Sequence, residues 1–214
     1  MELEGLGREN LQSVYARRAE IARLVSDEGL HVHNFCVVDP EMVSVDPLIR
    51  RTALDRFRMG AEVAELLNAE TLHVASYAPP VDYLQTPPYQ LTSDGGYQFA
   101  DVPALRLPPG FDWTEVWNAL VESCRFCSDL AAEYRRTLIM EPRIGEVICS
   151  VDSLLRLIDH VGRPNFKANF DTAHFSAQRE MSYSLWLNFG PGPRTHGFAA
   201  GWLSRVVGSP AVLC

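Results

Sequence analysis

The stretch LIMEPRIGEVICSVDSLLRLIDHVGRPNFKANFDTAHF, from Leu138 to Phe175, decides the fold. It opens on a short apolar run that stops at Glu141 and ends on a second one that stops at Asp171. Between them, SVDSLLRLIDHVG carries apolar residues at helical spacing, with Ser150 placed to cap its start and Gly162 to stop it. Strand, helix and strand in that order leave room for parallel pairing, because parallel strands need a long crossover. The second run closes on Asp171, with His174 three residues later. A carboxylate and an imidazole at the end of a buried strand are costly unless something satisfies them, either neighbouring backbone or a metal.

The same rhythm runs upstream. An amphipathic helix is expected over about Asn10–Glu28, with Leu11, Val14, Tyr15, Ile21, Leu24 and Val25 on or near one face and Gly29 as its stop. LHVHNFCVV reads as a strand. A second helix spans about Pro47–Leu67, with Leu48, Leu54, Phe57, Ala61, Ala64 and Leu67 near a period of 3.6, and TLHVASYAP follows as a strand. Pro80–Gly110 is rich in Pro, Gly, Tyr and Gln and lacks helical periodicity. Loops this long are uncommon in compact domains, and this one is expected as an irregular lid over the ends of the strands. Its Tyr83, Tyr89 and Tyr97 suit a sugar ring or simple packing of the lid. The helix around Trp113 and Trp117 contains Cys124 and Cys127, whose C-x-x-C falls at core spacing and reads as buried thiols. Four strands are convincing, separated by helices, which makes an α/β parallel sheet.

With 214 residues, 47% hydrophobic and 21% charged, the chain is expected to build one globular core. A net charge of −8 without a Lys/Arg run argues against nucleic acid as a partner. No apolar run is long enough for a membrane span and MELEGLGREN is polar, so the expected compartment is the cytoplasm. Five cysteines at irregular spacing do not make a disulfide framework. From Met181 to Cys214 there is no Asp, Glu or Lys, and all 27 acidic residues lie upstream. That shift suggests a domain over 1–180 and an anomalous tail over 181–214, written by a shifted reading frame or kept as an apolar segment that associates.

In parallel α/β folds, functional groups gather where strands end at their C-terminal edge. Glu141 and Asp171 are therefore expected side by side, with His174 on the turn beyond. Two carboxylates and an imidazole suit a divalent cation, which offsets their mutual repulsion. His31 and His33 share one face of LHVHNF, and His73 sits in TLHVAS. Each alone suits a core position, but their collection on neighbouring strands points to a substrate contact. His160, late in its helix, complements the helix dipole.

The E-P of Glu141–Pro142, the V-G-x-P-N of Val161–Asn165 and the D-T-x-H of Asp171–His174 together resemble the xylose isomerase-like TIM barrels, the sugar (phosphate) isomerase and epimerase superfamily. The resemblance covers about Gly29–Glu180. It implies a partial (β/α)8 barrel with about four to six parallel strands and flanking helices, beginning after the barrel's second strand. It implies that Glu141, closing the fifth strand, binds metal and takes part in proton transfer, and that Asp171, closing the sixth, binds metal. It implies further that His174 contacts substrate or metal and that Glu146 contacts substrate, while His33 and His73 are expected at the substrate site from their place on neighbouring strands. The His and Glu that the family's seventh and eighth strands bring to the metal have no counterpart here.

The implied cofactor is a divalent ion, Mn²⁺, Co²⁺, Mg²⁺ or Zn²⁺, and the implied substrate a sugar or sugar phosphate. The implied chemistry removes a proton next to a carbonyl, with a carboxylate as shuttle. The alternatives are a related lyase acting on a sugar conjugate, or a non-catalytic partial barrel. A partial barrel would leave open sheet edges, so a homo-oligomer or a partner subunit is expected to cover them.

Overall fold

The computed structural model describes residues 1–84, 105–143, 145–171 and 174. In chain order the elements are β1 (Glu2–Leu6), α1 (Gly7–Ala16), α2 (Arg18–Asp27), β2 (Asn34–Val38), a 3-10 turn (Pro40–Val43), α3 (Pro47–Leu66), β3 (Thr71–Val74), β4 (Asp82–Tyr83), β5 (Leu105–Arg106), α4 (Trp113–Glu133), β6 (Thr137–Met140), α5 (Val151–Val161) and β7 (Phe166–Ala168). The main sheet is parallel throughout, in the order β1-β2-β3-β6-β7. Helices separate these strands, so the fold is α/β with the strand succession of a partial TIM barrel.

Local chemistry sets the helix ends. Asp46 accepts hydrogen bonds from the Leu48 and Ile49 amides at 2.8 and 3.3 Å, and Pro47 fits the first turn of α3. Ser150 and Ser153 cap α5 reciprocally, and Gly162 closes it at φ 62°. Phe35, Val37, Leu72, Leu138, Met140 and Phe166 are buried on the sheet face that packs under the helices. Each such side chain contributes about 1.5–3 kcal/mol by leaving water. The register places Glu4, Cys36, His73, Ile139 and Lys167 side by side on the opposite face. That second face is mixed polar and apolar, and it carries the site.

Three expectations change. A strand, β1, precedes the helix expected to come first, and it pairs with β2 from Glu2↔Asn34 to Leu6↔Val38. ELEGL was illegible as a strand because its alternation sets glutamates against one leucine and a glycine. The leucine nevertheless packs against the core, and Gly5 is buried against Leu11. The helix read over Asn10–Glu28 is two helices abutting at Arg17, with hydrogen bonds from Arg17 N to Ser13 O and from Ile21 N to Arg17 O carrying across the junction.

The excursion over Pro80–Gly110 is not irregular throughout, because β4 and β5 pair antiparallel at its two flanks. Tyr89, Tyr97 and the tail 181–214 lie outside the described residues. Cys124 and Cys127 are buried in α4, where burial pushes both thiols far above their ordinary range, as befits inert core cysteines. His160 accepts a hydrogen bond at Nδ1 from Trp117 Nε1 at 2.9 Å and ties α5 to α4. Among the described residues no helix is long and apolar enough to cross a membrane.

Candidate active site

Glu141 follows the last residue of β6, and Asp171 stands three residues beyond the end of the adjacent β7. Both leave the same end of the parallel sheet. One ligand atom from each of Glu141, Asp171 and His174 lies within 4.8 Å of the other two. The three residues expected at one mouth are thus together.

The Glu141 carboxylate is buried and closely surrounded. Its Oε1 accepts from Arg143 Nε at 3.2 Å and lies 3.0 Å from His174 Nε2. Its Oε2 accepts from Asn169 Nδ2 at 2.9 Å and lies 3.8 Å from His73 Nε2. Burial by itself would raise its pKa, but the His174 hydrogen bond and the charges of His73, Arg143 and His174 outweigh it and bring the value down to about 2. Burial pulls His73 the other way for a base, down to about 4, so the ring is neutral at pH 7. The two values agree, since His73 is charged only in the acid range where Glu141 itself titrates.

His73 is wholly enclosed and oriented from behind. Its Nδ1 lies 3.3 Å from Asn34 Nδ2, and Asn34 also bonds the Glu2 carboxylate. If Asn34 donates to Nδ1, the proton of the neutral ring sits on Nε2, beside Glu141. At 3.8 Å that contact is too long for a hydrogen bond, and among the described residues nothing else accepts from Nε2. A buried polar atom left in this condition calls for an explanation, and a group bound at the mouth supplies one. Two carboxylates, a strand-end imidazole and this unspent nitrogen fit a divalent cation with an oxygen-bearing substrate above it.

One expected residue is placed differently, and another has a structural task. His33 precedes β2, whereas Glu141 follows β6, so parallel pairing sets them at opposite ends of the sheet. Five residue steps of ~3.3 Å put them roughly 16 Å apart along the strands, and His33 cannot share the mouth. Glu146 is buried, and its Oε2 accepts from Ser76 N, Ser76 Oγ and Tyr77 N at 2.9, 2.8 and 3.0 Å. That oxygen is occupied in holding the loop after β3, where Tyr77 stands at φ 59°, a region costly for a side chain.

Arg143 and Asn169 were not expected at the site. Both lie two residues from a strand-end carboxylate, and the period of two in extended chain was the available signal.

The family of xylose isomerase-like TIM barrels matches residues 2–197, and the chain belongs to that family. Among curated proteins none matches. Solved structures share the fold at low identity. A D-psicose 3-epimerase crystallised in the presence of D-fructose superposes with a TM-score of 0.64 at 17% identity, over 91% of this chain and 60% of its own. The 3-keto-D-glucoside 4-epimerase of E. coli superposes at 0.63 and 12% identity, over 86% and 73%. A xylose isomerase-like TIM barrel protein from Mycobacterium smegmatis in complex with magnesium superposes at 0.54 and 16% identity, over 75% and 47%. The chain thus spans 60% of the first of these relatives and about half of the last.

Proposed function

We propose that this chain acts as a metal-dependent isomerase or epimerase on a sugar or sugar phosphate. The observation that carries the reading is the convergence of Glu141, Asp171 and His174 within 4.8 Å at one end of the sheet. Glu141 and Asp171 hold a divalent ion, Mn²⁺, Co²⁺, Mg²⁺ or Zn²⁺, and His174 meets the ion or the substrate. When bound, the ion supplies positive charge beside the substrate carbonyl and so eases loss of a proton from the adjacent carbon.

The remaining parts fall to the side chains. Glu141 is ionised at any working pH, takes the proton from that carbon and returns it. With a pKa of about 2 it is a weak base, so turnover depends on stabilising the negative charge that develops on the substrate oxygens. Neutral His73 donates from Nε2 to one of those oxygens. Arg143 and Asn169 hold the Glu141 carboxylate in place, and Glu146 positions the β3 loop. Two of the fold neighbours are sugar epimerases by name, which supports the substrate class.

The test is exchange in D₂O. Chelator-stripped protein reloaded with Mn²⁺ and mixed with D-fructose, D-psicose or their phosphates should place deuterium on the carbon next to the carbonyl, read by NMR. Glu141→Gln should abolish the exchange. Failure to exchange with every member of that panel would overturn the reading.

A further inference from the structure

We propose that His31, His33 and Glu70 form a second divalent-cation site, of imidazole-rich character, at the end of the sheet opposite Glu141. His31 and His33 lie just ahead of β2, and Glu70 just ahead of the neighbouring β3. In the extended chain a spacing of two residues turns both rings to one side. His31 Nε2 lies 2.7 Å from Glu70 Oε1, and His33 Nδ1 lies 3.4 Å from the same oxygen. All three ligand atoms fall within 4.8 Å of one another, and the two rings meet edge to face at 4.3 Å between centroids.

An ordinary ion pair would need one histidine on the carboxylate. Here two ring nitrogens approach a single oxygen, and the three atoms form a triangle of the size one small cation spans. Metal–nitrogen bonds of about 2.0–2.1 Å in a tetrahedron set neighbouring ligands about 3.3 Å apart. The His33–Glu70 distance already matches. The His31–Glu70 distance must open by less than an ångström, which a half-exposed side chain can do.

The backbone beneath is held in place. His33 N donates to Met1 O at 2.9 Å, and His33 O accepts from Glu70 N and Thr71 N at 3.1 and 3.0 Å. The Thr71 hydroxyl adds a third bond to the same carbonyl at 3.0 Å. The two ligands on either side of this ladder are therefore fixed relative to each other before any ion arrives, which lowers the ordering cost of binding.

Donor chemistry separates this site from the one at Glu141. Two imidazoles and one carboxylate favour Zn²⁺, Ni²⁺ or Cu²⁺ over Mg²⁺, whereas the Glu141 group offers two carboxylates to one imidazole. Water completes the shell from the open side. At the N-terminal end of a parallel sheet, away from the mouth, the ion's part is structural: it pins the entry of β2 to the entry of β3.

The test uses untagged, chelator-stripped protein carrying Glu141→Gln and Asp171→Asn, so that the mouth no longer competes for metal. Titrating Zn²⁺ against a chromophoric chelator should give one site per chain in that background. It should also raise the melting temperature. Adding His31→Ala and His33→Ala should weaken Zn²⁺ binding at least about tenfold and remove the thermal shift. Glu70→Gln, a near-isosteric change on the surface, should weaken binding in the same direction without lowering the melting point in EDTA. Unchanged Zn²⁺ affinity in both sets of variants would overturn the proposal.

Discussion

His73 Nε2 lies 3.8 Å from Glu141 Oε2, and the His73 ring has no exposure to solvent. This neutral imidazole lies beneath a carboxylate that stays ionised to about pH 2. The pair therefore couples the stability of the fold to the chemistry of the mouth.

That coupling sets a pH dependence. His73 takes up its proton at about pH 4 in the folded chain and near its ordinary 6.5 when unfolded. Between those values the unfolded chain binds more protons, so stability falls as pH is lowered through the window, by at most about 3 kcal/mol. Glu141 acts lower down. Its folded pKa is depressed, so its contribution is present above about 4.5 and is lost as pH falls toward 2. Urea unfolding in EDTA at pH 7, 5.5 and 4.5 should show the His73 loss in the wild type and a flatter profile in His73→Gln. Parallel profiles for the two proteins would contradict this.

Gly60 on α3 sits where an added Cβ would collide with the Val37 side chain, while meeting Phe35 only at ordinary contact distance. Gly60→Ala should therefore destabilise the protein by about 1–3 kcal/mol despite the better helix propensity of alanine. A thermal melt decides it, and a gain in melting temperature would show that β2 gives way easily.

Glu146 supplies the acceptor for two amides and a hydroxyl in the loop after β3. Glu146→Ala leaves those buried donors without their acceptor and should cost about 2–4 kcal/mol, whereas Glu146→Gln keeps one oxygen in place and should cost less. If instead both variants melt with the wild type and only KM for the sugar rises, Glu146 touches substrate, as the family resemblance implied.

Much of this architecture was legible because its signals are local. The cap at Ser150, the stop at Gly162 and the period of α3 and α5 mark the helices almost to the residue. The strand-end carboxylates then follow from parallel pairing, which carries Glu141 and Asp171 to one edge without any long-range information. What failed depended on partners distant in sequence. β1 is a strand because Asn34–Val38 lies beside it, not because ELEGL is apolar. His33 looked like a mouth residue because the sequence does not say where along LHVHNFCVV the ladder begins. Once β2 starts at Asn34, that histidine falls at the far end. Asn169 and Arg143 escaped notice because an amide and a guanidinium beside a carboxylate are common on any surface, and only the fold shows that these two reach Glu141.

The central claim is that Glu141 and Asp171 share one divalent ion beside His174. Calorimetric titration of Mn²⁺ into chelator-stripped wild type and Asp171→Ala tests it most directly, with His31→Ala/His33→Ala protein as the control for the opposite end of the sheet. The account predicts Mn²⁺ binding to wild type and control alike, weakened at least about tenfold in Asp171→Ala, because that change removes a charged ligand that water does not replace. Indistinguishable isotherms for wild type and Asp171→Ala would contradict it.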